Sequence, residues 1–347
     1  MTPTDDVLDE ALERLHAWGP EWRGRLSNHG PMVVESMVAR GHAEQVEPWL
    51  DGYARILEPP RRPRQRIADD DWQAALGDPE RLSDWISFFD DRVAEAPWRD
   101  VLATWWPRLL PGLAASATHS VIRLGHSVRA LRERGESPAR RDELSASLAY
   151  WAGRWLPVTG AVSGHGATEP AAALASLPAL GHDGSFPDLL DQLAANPSWP
   201  SCARVALTDD PAAAQRLLQD LVVGAGRHYR THGHGEPIML VHAVTAPNAV
   251  LRLLPSVPQQ MWPQSLHAAW TAAAAVTTIY NPTSDDPVPL VSVAASPADM
   301  FARAVDHGDE HVIKLADAIL DAYSWNPDHE LVAAGLRASM LIEREGP

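Results

Sequence analysis

The sequence predicts an all-α fold, a large multi-helix bundle without repeats and with a metal site in its helical core. Three observations predict the helices. Apolar residues recur at helical spacing through most of the 347 residues, and the two-residue alternation of strands is nearly absent. Alanine and leucine, both strong helix formers, are abundant, while β-branched and aromatic runs are missing. The 30 prolines fall mostly at helix starts and connections, where a missing N–H costs little. No period of about 30–45 residues carries a fixed signature, which argues against a solenoid.

The elements follow in order. Leu8, Ala11, Leu12 and Leu15 mark an amphipathic helix that stops before Gly19-Pro20. Ser27-Asn28 reads as the cap of a helix running through Val33, Met37 and Val38 to Gly41. A third helix over 43–57 ends at Glu58-Pro59-Pro60-Arg61-Arg62-Pro63, and the charged, proline-rich stretch to Asp70 is the clearest loop. The same patterning predicts helices over 79–95, 98–110, 112–133, 137–155, 168–177 and 209–223. Five more are predicted over 236–254, 264–280, 297–306, 308–323 and 328–343. One domain over 1–347 is expected, with the 58–70 loop as its candidate break.

Composition narrows the function classes. Hydrophobic residues make up 45% and charged residues 21%, an ordinary globular balance. A formal net charge of −16 argues against nucleic acid and against an anionic membrane surface as partners. Cys202 is the single cysteine, so no internal disulfide framework and no cysteine-based zinc site is expected. The acidic start Met1-Thr2-Pro3-Thr4-Asp5-Asp6 lacks the layout of a signal peptide, and no apolar run reads as a membrane span. A cytoplasmic location is the expectation; composition leaves the oligomeric state open.

Two residue types stand out. Fourteen tryptophans, against four phenylalanines and five tyrosines, are expected mostly as core anchors. Fifteen histidines are also many, and inward-facing histidines on helices are a common way to build a metal site in a bundle. His29 heads its helix beside Gly30-Pro31. His119 and His126 share one helix face, ~10 Å apart along the axis, so one metal takes only one of them. His242 follows the apolar run Ile238–Val241 and, once buried, needs a partner; a core histidine bonded to a carbonyl is the plain alternative. His228, His232 and His234 lie among glycines and read as solvated or gating residues of a mobile loop. His16, His42, His165, His182, His307 and His329 sit in surface-like settings, and His267 lies on an alanine-rich helix.

Lys314 is the only lysine; the other 28 residues counted as Lys+Arg are arginines. A buried lysine can lose its proton and react as an amine, which arginine cannot do. Lys314 follows His311 by three residues, which puts the two on one helical face. An ion pair to a neighbour such as Asp317 is the plain alternative.

Ordered motifs along the chain resemble the questin oxidase-like family, in its bacterial form. They begin with Asn28-His29-Gly30-Pro31-Met32, Leu76-Gly77-Asp78, Asp84-Trp85, Phe88-Phe89 and Pro97-Trp98. Pro107-Arg108-Leu109 and Pro111-Gly112 lead into the helix from His119 to Leu131. Leu148-Ala149-Tyr150-Trp151, His242-Ala243-Val244-Thr245-Ala246-Pro247 and Asp309-Glu310-His311 through Lys314 complete the set, over about residues 8–320. The resemblance implies a metal-dependent oxygenase that oxidises or cleaves an anthraquinone-like aromatic polyketide with O2. It also implies a mononuclear non-haem iron held by His29, His119, His242, His311 and a Lys314 whose amine has captured CO2. His126 is the alternate ligand to His119. Arg123, which departs from the fungal pattern, and His126, Thr245 and His267 are candidates to orient the substrate or move protons. A desolvated lysine has a depressed pKa, so its neutral amine can add CO2 and become an anionic oxygen donor. Imidazoles with one oxygen donor suit iron, and five ligands leave one octahedral position open.

Two other classes remain in view. An NADPH-linked Baeyer–Villiger monooxygenase without bound metal lacks support from any Gly-rich strand–turn–helix fingerprint. A non-catalytic helical ligand-binding scaffold would use its histidines and tryptophans as core alone.

Overall fold

The computed structural model describes residues 3–160, 166–181, 183–282 and 295–344; His165 and His182 lie outside them. Two compact units emerge, one built chiefly from Met1–Pro157 and the other from Val158–Leu254 and Gln259–Gly346. Both are helical and neither repeats, as the periodicity predicts. Among the described residues the strands are two-residue pieces, β1 (Glu21–Trp22) and β2 (Leu26–Ser27), joined antiparallel.

The first unit contains α1 (Pro3–His16), α2 (Gly30–Ala39), α3 (Val46–Tyr53), α4 (Leu82–Glu95), α5 (Trp98–Leu109), α6 (His119–Arg134) and α7 (Pro138–Gly153). α7 is its centre, packing on α4, α6 and α1, while α2 packs on α1 and α6. Ser137 starts α7 by accepting a bond from Arg140 N, with Pro138 in the first turn where its missing N–H is harmless. The core is rich in indole: Trp85, Trp98, Trp106 and Trp151 are fully buried. The ring N–H groups of Trp85 and Trp151 donate to Ala75 O (3.0 Å) and Gly112 O (2.9 Å), so large apolar faces are buried without stranding a donor.

The second unit contains α8 (Pro170–Leu174), α9 (Phe186–Ala195), α10 (Trp199–Cys202), α11 (Pro211–His232), α12 (Pro237–Leu253), α13 (Trp262–Tyr280), α14 (Pro297–His307), α15 (Glu310–Trp325) and α16 (His329–Leu341). α11, α12 and α13 pack mutually, α12 also packs on α15, and α14, α15 and α16 pack together. Ser296 and Asp299 form a capping box on α14, and Gly308 ends that helix at φ 86°, a left-handed conformation that favours glycine. Asp309 follows at once and caps α15, its Oδ1 accepting from His311 N (2.8 Å) and Val312 N (3.1 Å).

Three expectations need correction. The predicted 112–133 helix begins only at His119, because Ser116, Ala117 and Thr118 all adopt positive φ. The predicted 209–223 helix continues to His232, so the histidine-rich stretch is not a loop until Gly233. Its glycines serve packing: a Cβ on Gly224 would lie 2.8 Å from Ala171 Cβ, and one on Gly226 2.8 Å from Leu331 Cδ2. His228 is accordingly buried and bonded to Asn281 Oδ1 at 2.7 Å, and burial holds its pKa down at about 4. Finally, Pro237–Ser256 is long and apolar enough to cross a membrane, contrary to the reading of the apolar runs, but most of it is buried inside the protein.

Candidate metal centre

In the first unit, His29 and His119 come together. Their ring centroids are 4.6 Å apart with planes inclined by 49°, and both side chains are buried. His29 occupies the N-cap position of α2, where its own N–H donates to Tyr53 Oη at 2.7 Å. Asn28 braces the turn, accepting from Gly30 N (3.0 Å) and donating to Gly19 O (3.1 Å). His119 opens α6 straight out of the left-handed stretch, with φ 49°, 52° and 72° at Ser116, Ala117 and Thr118. That stretch turns the Ser116 carbonyl onto His119 Nδ1 at 2.6 Å. A carbonyl acceptor makes Nδ1 the protonated nitrogen and Nε2 the lone-pair donor.

Each left-handed non-glycine residue costs about 1–2 kcal/mol, more than the ~0.5–1 kcal/mol of extra chain entropy a glycine loses. Ala117→Gly is therefore expected to raise the unfolding free energy by up to ~1 kcal/mol, as read from urea denaturation; a loss of stability would show that the methyl group packs usefully there.

The second unit gathers His242, His311 and Lys314. His242 lies in mid-α12, completely buried, and its ring is 5.6 Å from that of His311 at 75°. Its Nδ1 lies 3.2 Å from Met239 O, the same carbonyl device that fixes His119. Burial first, then the charges of Lys314 and His311, hold the His242 pKa well below the ordinary value, so the ring is neutral at pH 7. The plain reading of His242 as a core histidine bonded to a carbonyl is met at its Nδ1.

Lys314 is 1% exposed, and its Nζ has no hydrogen-bond partner among the described residues. Its anchoring to Asp317 does not occur: Asp317 Oδ2 accepts from Arg252 Nη2 at 2.7 Å instead. Burial pushes the amine down to about 8, against the opposing pull of Glu310 and Asp309. A buried, unbonded amine is costly to maintain. Asp309, Glu310 and His311 offer ligand atoms within 4.8 Å of one another, a group suited to a metal ion. The two carboxylates escaped the sequence reading, although the Gly308-Asp309 stop-and-start signal places Asp309 beside His311.

The other candidates have visible partners. Arg123 makes a bidentate bond to Glu143 (2.6 and 2.7 Å), which also receives His16 Nε2 at 3.1 Å. The remaining Arg123 Nη1 is buried without a hydrogen-bond partner among the described residues. His126 Nδ1 lies 2.7 Å from Glu35 Oε2, within a buried cluster that includes Arg129. Thr245 Oγ1 donates back to Val241 O on its own helix (3.1 Å), and His267 lies half-buried near the start of α13, its pKa lowered by burial.

These donors fit a first-row transition metal. Neutral imidazoles are good ligands for such ions. An ammonium at Lys314 would repel the ion. The carbonyl-fixed tautomers of His119 and His242 are the usual support of metal-bound histidine.

No curated protein matches the chain. Residues 28–131, the stretch that holds His29, Arg123 and His126 and starts α6 at His119, match the family model described as questin oxidase-like, whereas His242, His311 and Lys314 lie beyond the match. Over that stretch the chain is similar to the questin oxidase-like proteins.

Proposed function

We propose that the protein is a metal-dependent oxidative enzyme acting on an aromatic compound, with His29, His119, His242, His311 and CO2-modified Lys314 serving one metal. The observation that carries it is the buried Lys314 amine, unbonded and held at about 8, in the company of His242 and His311. As a structural anchor this residue is wasteful; as a ligand precursor each property is needed. The neutral amine attacks CO2, an N–C bond forms as one C–O π bond opens onto oxygen, one proton leaves the nitrogen, and the product is an anionic carbamate oxygen in the company of His242 and His311.

Iron is the metal this reading assigns, and when bound it supplies one-electron redox chemistry with O2. The chain's own residues do the rest. The carbonyl acceptors Ser116 O and Met239 O keep the two histidine rings in one tautomer. Burial of both histidine pairs restricts water. Arg123 Nη1 is an unused cationic donor suited to a quinone carbonyl or phenolate oxygen of the substrate. His126, Thr245 and His267 are assigned to substrate orientation or proton movement. The substrate class is an anthraquinone-like polyketide in its hydroquinone form, consumed by oxygen insertion or ring cleavage.

The test is oxygen uptake by iron-loaded protein given anthrahydroquinone as probe, with 18O2 to trace the product. Uptake that depends on both iron and hydroquinone, with label in the product, is the expected result. Turnover by metal-stripped protein with NADPH would replace this reading with the cofactor-linked monooxygenase. Metal-loaded protein that leaves O2 untouched across a set of anthraquinols would leave the helical scaffold.

A further inference from the structure

Each unit pins its two histidine-bearing helices together with a buried arginine and a buried carboxylate. In the first unit, Arg129 on α6 grips Glu35 on α2, with Nε 2.8 Å from Oε1 and Nη2 bonded to Oε2. In the second, Arg252 on α12 reaches Asp317 and Asp321 on α15, Nη2 lying 2.7 Å from Asp317 Oδ2 and Nε 2.8 Å from Asp321 Oδ2. Asn248 adds a bond to Asp321 at 3.0 Å. The spacing is the same in both. Each arginine lies ten residues after a candidate histidine ligand, Arg129 after His119 and Arg252 after His242. Each carboxylate lies six residues after the other ligand, Glu35 after His29 and Asp317 after His311. The chain order is reversed between units: the carboxylate helix comes first in one and the arginine helix first in the other.

We propose that Glu35–Arg129 and Asp317–Arg252 are matched positioning clamps that set the register of each helix pair and so hold its two imidazoles in ligating geometry. The proposal rests on the metal reading above. A guanidinium fork bonds a carboxylate only within a narrow range of position and angle. Sliding either helix by one turn, ~5.4 Å, or rotating it by one residue would break the bonds. Fold stability alone is a weak reason for such pairs, because well-packed apolar residues commonly serve a buried site as well. Two clamps at one spacing, each carboxylate less than two turns and each arginine nearly three turns from its histidine, point to geometry. Glu35, Arg129, Arg252 and Asp317 are all buried, so none is needed for solubility.

The test uses the full chain and cobalt(II) as probe, comparing wild type, Arg252→Met/Asp317→Leu and Arg252→Lys. Circular dichroism and thermal melting report the fold, and visible titration reports cobalt affinity and ligand-field bands. The apolar pair is expected to stay helical and melt near wild type, yet bind cobalt at least about tenfold more weakly with displaced bands. Should that pair not fold, Arg252→Lys, which keeps the charge and loses the fork, is expected to show the same displacement in smaller degree. A folded variant of either kind with wild-type affinity and bands overturns the clamp alone. Wild type without cobalt affinity overturns the metal reading, and the clamp with it.

Discussion

Lys314→Met is expected to abolish metal binding and, at the same time, to raise the stability of the metal-free protein. The two effects separate a ligand from an anchor. The Lys314 amine falls from the ordinary 10.5 to about 8 on folding, because burial disfavours its charged form. Between those values the unfolded chain holds the proton more tightly, so stability rises with pH from about 8 and levels off near 10.5. Below 8 the full penalty stands, on the order of 3 kcal/mol at pH 7. A methionine of similar length carries no charge to desolvate and fills the same space. The variant is thus expected to gain stability at pH 7, to lose the slope between pH 8 and 10.5, and to take up no metal. Urea denaturation at pH 7 and pH 10, with metal analysis, checks all three. A destabilised variant that still binds metal would make Lys314 a structural residue.

Glu35→Gln is expected to produce the largest loss of stability, ~3–5 kcal/mol at pH 7, because it leaves the buried Arg129 charge without its carboxylate. Burial alone would raise the Glu35 pKa. The Arg129 charge and hydrogen bonds from His126 and Arg129 overcome that and hold it at about 2. The folded protein therefore binds this proton less readily than the unfolded chain does. Its contribution is complete above the ordinary 4.5 and is lost as the pH falls toward 2, a change of ~3 kcal/mol. The gap between wild type and variant should be widest at pH 7 and narrow progressively below pH 4. A gap of constant width down to pH 3 would show that the carboxylate is not held charged by its neighbours.

The helices were legible because their apolar spacing and caps are local properties. Ser185-Phe186-Pro187-Asp188 shows the limit: the capping box that starts α9 is a local signal, but the helix is short and lies between stretches broken by proline and glycine. The left-handed Ser116–Thr118 stretch carries no glycine, so no residue type marks it in the sequence. Gly233 and Gly235 made the histidine stretch read as a loop, whereas the use of Gly224 and Gly226 inside α11, close approach to Ala171 and Leu331, depends on helices far away in sequence. At the candidate centre, the value of a lone lysine and of His242 in an apolar run could be read directly from residue type. Glu35, Arg129 and Arg252 could not, because an ion pair between distant segments leaves no pattern in either one. Asp309 fell between: its cap position was legible, and its closeness to the His311 ring, 3.7 Å from Nδ1, was not.

The most direct measurement is the metal content of the untagged protein by elemental analysis, as purified and after anaerobic loading with ferrous iron. The proposed five-ligand set requires close to one iron per chain, lost together with the carbamate carbon signal when 13C-bicarbonate is supplied to the Lys314→Met variant. A wild-type protein that stays empty after loading would contradict the metal centre outright.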